Sequence, residues 1–233
     1  MRSMAKLPPR PRWATFDCYG TLVDWYGGMG RELERLFGGD TDGALLARYH
    51  EIEPVVEAAA PSAPYRQVME TTLRRTAKAA GLELPEADAD ALGRSLPSWP
   101  VFEEVPAALT ELRRRGWKLA ILSNTDREFI DASMASIGVP FELAVVASEI
   151  RSYKPAPGHW EAFFAATGAD ATRHVHVAAS LFHDVEPAAR MSMPCVWINR
   201  LGEPPSPTAA AELPDLSTLP DELEELVAEV ERR

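Results

Sequence analysis

Short apolar runs, each closed by a turn or a polar cluster, recur along the chain at 13–16, 119–122, 143–147, 175–179 and 195–198. Runs of that length predict buried strands. Between most of them apolar residues recur at helical spacing instead, over 103–115, 127–137 and 158–167, and Gly116, Gly138 and Gly168 mark where these helices stop. Strands alternating with helices predict parallel strands joined by right-handed crossovers, hence an α/β core with a layered, Rossmann-like parallel sheet. One interval breaks the rhythm. From 24 to 96 no strand pattern occurs, and helical patterns follow one another at 29–36, 44–59, 65–80 and 87–96, separated by glycine and proline clusters. Such a block, inserted after the first strand, predicts a helical cap domain at 24–96 and a discontinuous core of 1–23 and 97–233. The stretch 202–214 reads as a proline-rich surface excursion. Leu219, Leu223, Leu226, Val227 and Val230 give a last helix an apolar face to dock on the core.

Composition narrows the function more than the fold. The 233 residues are 46% apolar and 25% charged, a globular balance. A net charge of −11 argues against a nucleic-acid partner, and an anionic substrate would need local cations in its pocket. Two cysteines, Cys18 and Cys195, offer neither a disulfide framework nor a zinc spacing, which fits a reducing, cytoplasmic setting. The basic, proline-rich start is not followed by the apolar run of a signal peptide. No run is long enough to span a membrane.

In open α/β sheets ligands bind beyond the carboxyl ends of the strands. Asp17 and Thr21 follow the first strand, Ser123 and Asn124 the second, Lys154 the third and Asp184 the fourth. A single aspartate there is commonly only a helix cap. Acid, hydroxyl, amine and second acid at four successive strand ends instead suggest a nucleophilic carboxylate, Asp17, held ionised by Lys154 and bonded by Thr21. Ser123 and Asn124 can orient a carboxylate or a substrate carboxyl group, or merely cap their loop.

The motifs D-x-Y-G-T, I-L-S-N, Y-K-P and the final Asp, with the helical insert and the strand C-V-W-I-N-R, resemble those of the haloacid dehalogenase superfamily over nearly the whole chain. Phosphatases of that superfamily carry a second Asp two residues after the nucleophile, where this chain has Tyr19. They also carry an acidic pair after the fourth strand, whose first member is here Ala179. The resemblance is therefore to the 2-haloacid dehalogenase branch, and it implies hydrolysis at carbon through an aspartyl ester, with no metal or other cofactor. It implies a small organic acid as substrate and Asp184 as the group that positions water. It also implies Arg48 on the first long cap helix as the halide-binding cation, although an arginine there otherwise reads as a solvated residue. Relatives are often homodimers. Tyr19, Trp160, Leu181 and His183 fall at substrate-pocket positions, and the last three depart from the branch's usual Tyr, Asn and aromatic residue. Those departures leave open a related hydrolase that opens a strained acid such as a four-membered imino acid, or an atypical phosphatase.

Overall fold

The computed structural model describes residues 11–38 and 43–232; the basic segment 1–10 and Gly39 lie outside them. The chain runs β1 (Arg12–Phe16), helices α1 (Trp25–Phe37), α2 (Ala44–Ala59), α3 (Tyr65–Ala80), α4 (Ala91–Ser95) and α5 (Val105–Arg114), then β2 (Trp117–Ser123). It continues through α6 (Arg127–Ile137), β3 (Leu143–Val146), α7 (Ala147–Ile150), α8 (Gly158–Thr167), β4 (His174–Ala178), α9 (Glu186–Arg190), β5 (Cys195–Ile198), β6 (Ala211–Leu213) and α10 (Leu219–Arg232). The six strands form one sheet in the order β3-β2-β1-β4-β5-β6, and every neighbouring pair is parallel. The order reverses between β1 and β4, which is where such sheets bind ligands.

Alternation along the strands divides the core into two layers. Ala14, Phe16, Leu119, Ile121, Val175, Val177, Val196 and Ile198 pack on one face with α5, α6 and α10. Trp13, Ala120, Leu122, Ala178, Cys195 and Trp197 face the other way, onto Trp160 and Phe163 of α8 and Ala188 of α9. Burial on both faces explains the apolar runs, which only buried Thr15 and His176 interrupt. Helix α6 ends at Gly138, whose φ of 70° no β-carbon-bearing residue adopts cheaply.

Helices α1 to α4 follow one another between β1 and α5 with no strand among them. The chain leaves and re-enters the core side by side: Asp24 N donates to Pro100 O at 2.8 Å, Phe102 N to Leu22 O at 3.1 Å, and Val23 bridges Val101 in antiparallel fashion. A core carboxylate also starts an insert helix, since Asp126 accepts from the backbone N–H of Tyr65 (2.8 Å) and Arg66 (2.9 Å) at the beginning of α3.

Two expectations need correction. The stretch 202–214 is not all surface loop, because Ala211–Leu213 adds β6 to the sheet edge. The helix expected over 87–96 is three short turns, with α4 flanked by single 3-10 turns at Glu86–Asp88 and Leu96–Ser98, the second containing Pro97. In α10, Leu219, Leu223 and Val227 are buried as expected and Leu226 partly so, while the side chain of Val230 lies outside the described residues. Among the described residues no helix is long and apolar enough to cross a membrane.

Candidate active site

Each strand hands over its polar residue where the backbone leaves the sheet. After β1 the chain turns through Gly20 at φ 90°, and this bend brings Thr21 back so that its hydroxyl donates to Asp17 Oδ2 at 3.0 Å. The same hydroxyl accepts from Ala179 N at 2.9 Å, which fixes its proton on Asp17. From the loop before α8, Lys154 reaches back beneath the strand ends. Its Nζ donates to Asp17 Oδ1 (2.9 Å), Asp184 Oδ1 (2.6 Å) and Leu122 O (2.9 Å), so all three of its protons are used. Asn124 clasps the Lys154 backbone, accepting from its N–H at 2.7 Å and donating to its carbonyl at 3.0 Å.

These groups are almost dry: Lys154 and Asp184 are each 1% exposed and Asp17 is 8% exposed. Burial alone would strip the Lys154 proton, but Asp17 and Asp184 outweigh it and hold the ammonium above its usual range. Burial also opposes the charge on Asp184, where Lys154 and His176 win and hold the carboxyl well below the usual range. For Asp17 burial wins, helped by the charge of Asp184 and opposed by Lys154 and Thr21, and its pKa is raised. Of two carboxylates on one ammonium, Asp184 is the more firmly ionised and Asp17 the more basic.

Above them lies a cavity of about 240 Å³ lined by Asp17, Ser123, Lys154 and Asp184 from the core and by His50, Glu53, Glu57 and Tyr65 from the insert. Asn124, Leu181 and His183 line it too, as does half-buried Tyr19, whose hydroxyl lies 3.1 Å from Ser133 Oγ. Two expected residues are not brought there. Arg48 is exposed on the outer side of α2, with Nη1 3.5 Å from Ala79 O, because the stripe of α2 that meets the cavity is His50, Glu53 and Glu57. Trp160 is 1% exposed beneath the sheet, with its ring edge-on to His176 at 5.4 Å between centroids.

Two features escaped the sequence reading. The first is a buried polar chain on the α8 side of the sheet. His176 Nε2 lies 2.9 Å from Asp184 Oδ1, its Nδ1 is 2.8 Å from Thr15 Oγ1, and Thr15 is 2.8 Å from His174 Nε2. Alternation at 174 and 176, two histidines on one strand face, was the available signal. The second is the acidic wall of α2, where Glu53 accepts from Tyr65 (2.8 Å) and Tyr49 (3.3 Å), and Glu57 accepts from Asn124 (3.2 Å) and lies 3.5 Å from His183 Nε2. Burial opposes protonation of His183, but Glu57 outweighs it and raises its pKa.

A divalent cation does not fit this donor set. Lys154 Nζ stands between Asp17 and Asp184, and the neighbouring Ala179 brings no oxygen-bearing side chain. Among the described residues no group of three or more His, Cys, Asp or Glu side chains is arranged to hold a metal ion.

Residues 11–191 match the model of the haloacid dehalogenase-like hydrolases. The chain belongs to this family. It is 32% identical to an (S)-2-haloacid dehalogenase of Pseudomonas sp. (strain YL) over 191 residues, 80% of this chain and 82% of that one. It is 30% identical to a phosphoserine phosphatase of Thermus thermophilus over 175 residues, 73% of this chain and 68% of that one. A crystal structure of an L-2-haloacid dehalogenase superposes with a TM-score of 0.82 at 27% identity, covering 92% of this chain and 99% of that one.

The buried histidines of this hydrolase make its stability pH-dependent. Burial, helped by Lys154 at His159 and by His176 at His174, lowers both pKa values from 6.5 to about 3. Both rings stay neutral in the folded chain down to that pH, whereas the unfolded chain protonates them near 6.5. Unfolding then takes up as many as two protons, so their contribution is complete above about pH 6.5 and lost as pH falls toward about 3, by up to about 2.7 kcal/mol per pH unit. Urea unfolding across this window should show the decline; a flat profile would mean that the rings are already charged in the folded chain.

Proposed function

We propose that the chain hydrolyses short 2-haloacids at the carbon bearing the halogen, through an ester on Asp17. In this reading 24–96 is a cap domain over a core of 1–23 and 97–233. Asp17 forms the C–O bond as the carbon–halogen bond breaks and the halide leaves with the bonding pair. Water then adds to the carbonyl carbon of the ester and the carbonyl–oxygen bond breaks; one proton of the water goes to the departing oxygen and the other to solvent, so that a 2-hydroxy acid of inverted configuration departs and Asp17 is restored as a carboxylate. The observation that carries this reading is the Lys154 ammonium bonded to both Asp17 and Asp184. It steadies a nucleophile without quenching it, since the raised pKa of Asp17 favours nucleophilicity once ionised. Among the described residues, the second oxygen of Asp184, Oδ2, has no hydrogen-bond partner. With its depressed pKa Asp184 suits holding the water better than removing its proton. Thr21 and Asn124 fix Asp17 and Lys154, and Ser123, Tyr19, Leu181 and His183 shape the substrate pocket.

Asp17→Asn is expected to abolish halide release from 2-chloropropionate. In a single turnover in ¹⁸O-water the product should carry an unlabelled oxygen from Asp17, with the label found in the protein. Label entering the product directly on the first turnover would sink the ester route.

The similarity to a phosphoserine phosphatase supports a second reading, phosphoryl transfer, which in this family of charges calls for a metal. Activity on 2-chloropropionate should survive exhaustive chelation. Loss with EDTA and recovery with Mg²⁺ would favour the phosphatase instead.

Arg48 has no part in the proposed chemistry. Arg48→Ala should leave halide release within about twofold of the parent, as for an ordinary surface substitution. A much larger fall in the burst of halide release would return Arg48 to the site.

A further inference from the structure

The wall that α2 gives to the cavity is acidic, where the family resemblance had implied a cation, Arg48. Glu53 and Glu57, 7% and 5% exposed, sit one helical turn apart on α2 and line the same cavity as Asp17. The permanent cations of that cavity are committed elsewhere. Lys154 has given all its protons, and Arg200 donates to Thr21 O at 2.8 Å and to Glu104 at 2.5 Å.

Structural roles account for only part of this wall. Both tyrosine hydroxyls on Glu53 reach the same oxygen, Oε1, and among the described residues no hydrogen bond is made to Oε2. Burial, reinforced by the charge of Glu57, lifts the Glu53 carboxyl to about 7. His183 partners Glu57 at 3.5 Å, but among the described residues no ion pair reaches Glu53, so the pair of carboxylates is short of positive charge on the Glu53 side. Two further polar atoms of residues that line the cavity are buried without a hydrogen-bond partner among the described residues, Ser123 Oγ and Asp184 Oδ2. Buried polar atoms without partners mark places where a polar ligand supplies the missing hydrogen bonds.

We propose that the preferred substrate is a short 2-substituted acid whose side arm ends in an ammonium group, seated against Glu53 and Glu57. This rests on the reaction proposed above and names its substrate class. An ammonium is a compact donor of three hydrogen bonds, matching the open oxygen of Glu53 and the neighbouring Glu57. It also brings into the cavity the positive charge that outward-facing Arg48 does not. An uncharged alkyl arm leaves Glu53 without a counterion and loses the donor contacts, whereas Glu57 keeps His183 at 3.5 Å.

The test compares arms that differ only in charge. Binding of the product-like acids 2-hydroxybutanoate and 4-amino-2-hydroxybutanoate is measured by calorimetry. Chloride release is followed from 2-chlorobutanoate and 4-amino-2-chlorobutanoate, with the enzyme-free rate subtracted. The amino compound is expected to bind about tenfold or more tightly and to lead in kcat/KM by a similar factor, the worth of one hydrogen bond to a charged group. Glu53→Gln should collapse that ratio toward unity. The ratio is read within each protein, so a general loss of activity in the variant cancels. Equal or weaker binding of the amino compound by the parent enzyme overturns the proposal even if Glu53→Gln fails to fold. If neither chloro acid releases chloride, the haloacid reading is what has failed, and the calorimetric preference then decides the ammonium site by itself.

Discussion

One buried ammonium joins three strands of this protein. Lys154 ties Asp17 beyond β1, Asp184 beyond β4 and the Leu122 carbonyl of β2 through a single nitrogen. Removing it would leave two carboxylates facing each other in the interior, a loss on the order of 3–5 kcal/mol, because an unpaired buried charge is far costlier than the pair is stabilising. The placing of β1 between β2 and β4 brings these partners within reach of one another. Asn124 then grips the Lys154 backbone from both sides, and Thr21 closes the second oxygen of Asp17. Asp184 is held from behind as well, through His176, so its orientation is set from both layers of the core.

What could be read from the sequence follows from what burial imposes on it. Strands covered on both faces are mostly apolar, so β1, β2, β4 and β5 were visible as runs even though Thr15, His174 and His176 interrupt two of them, and the groups just beyond them followed from position alone. Strand β6 was not, since a three-residue edge strand carrying Glu212 buries too little to leave a pattern. Helices α2 and α3 fall on the expected 44–59 and 65–80 because proline and glycine frame them.

Phase is harder to read than position. Arg48 was expected in the pocket from its spacing, yet at about 100° per residue it stands about 200° around the helix from His50, on the opposite side. Glu53 and Glu57 were missed for the complementary reason, since charges on a helix ordinarily mark its solvated face. Only the cavity shows that here the charged stripe faces inward. The same holds for His174 and His176, whose polar chain looks in sequence like any surface alternation. Trp160 shares the helix face of Phe163, and that face packs beneath the sheet instead of over the site.

The paired crossings at Val23 and Val101 carry an architectural consequence. Because the chain departs and returns through adjacent, hydrogen-bonded segments, the backbone path of the core is interrupted at two ends only about 5 Å apart. The distance between those ends is independent of what is strung between them. A core built this way can take a different α2 wall without rerouting the strands that carry the Lys154 cluster, with Asn124, bonded to both Glu57 and the Lys154 backbone, as the point where the two must still agree.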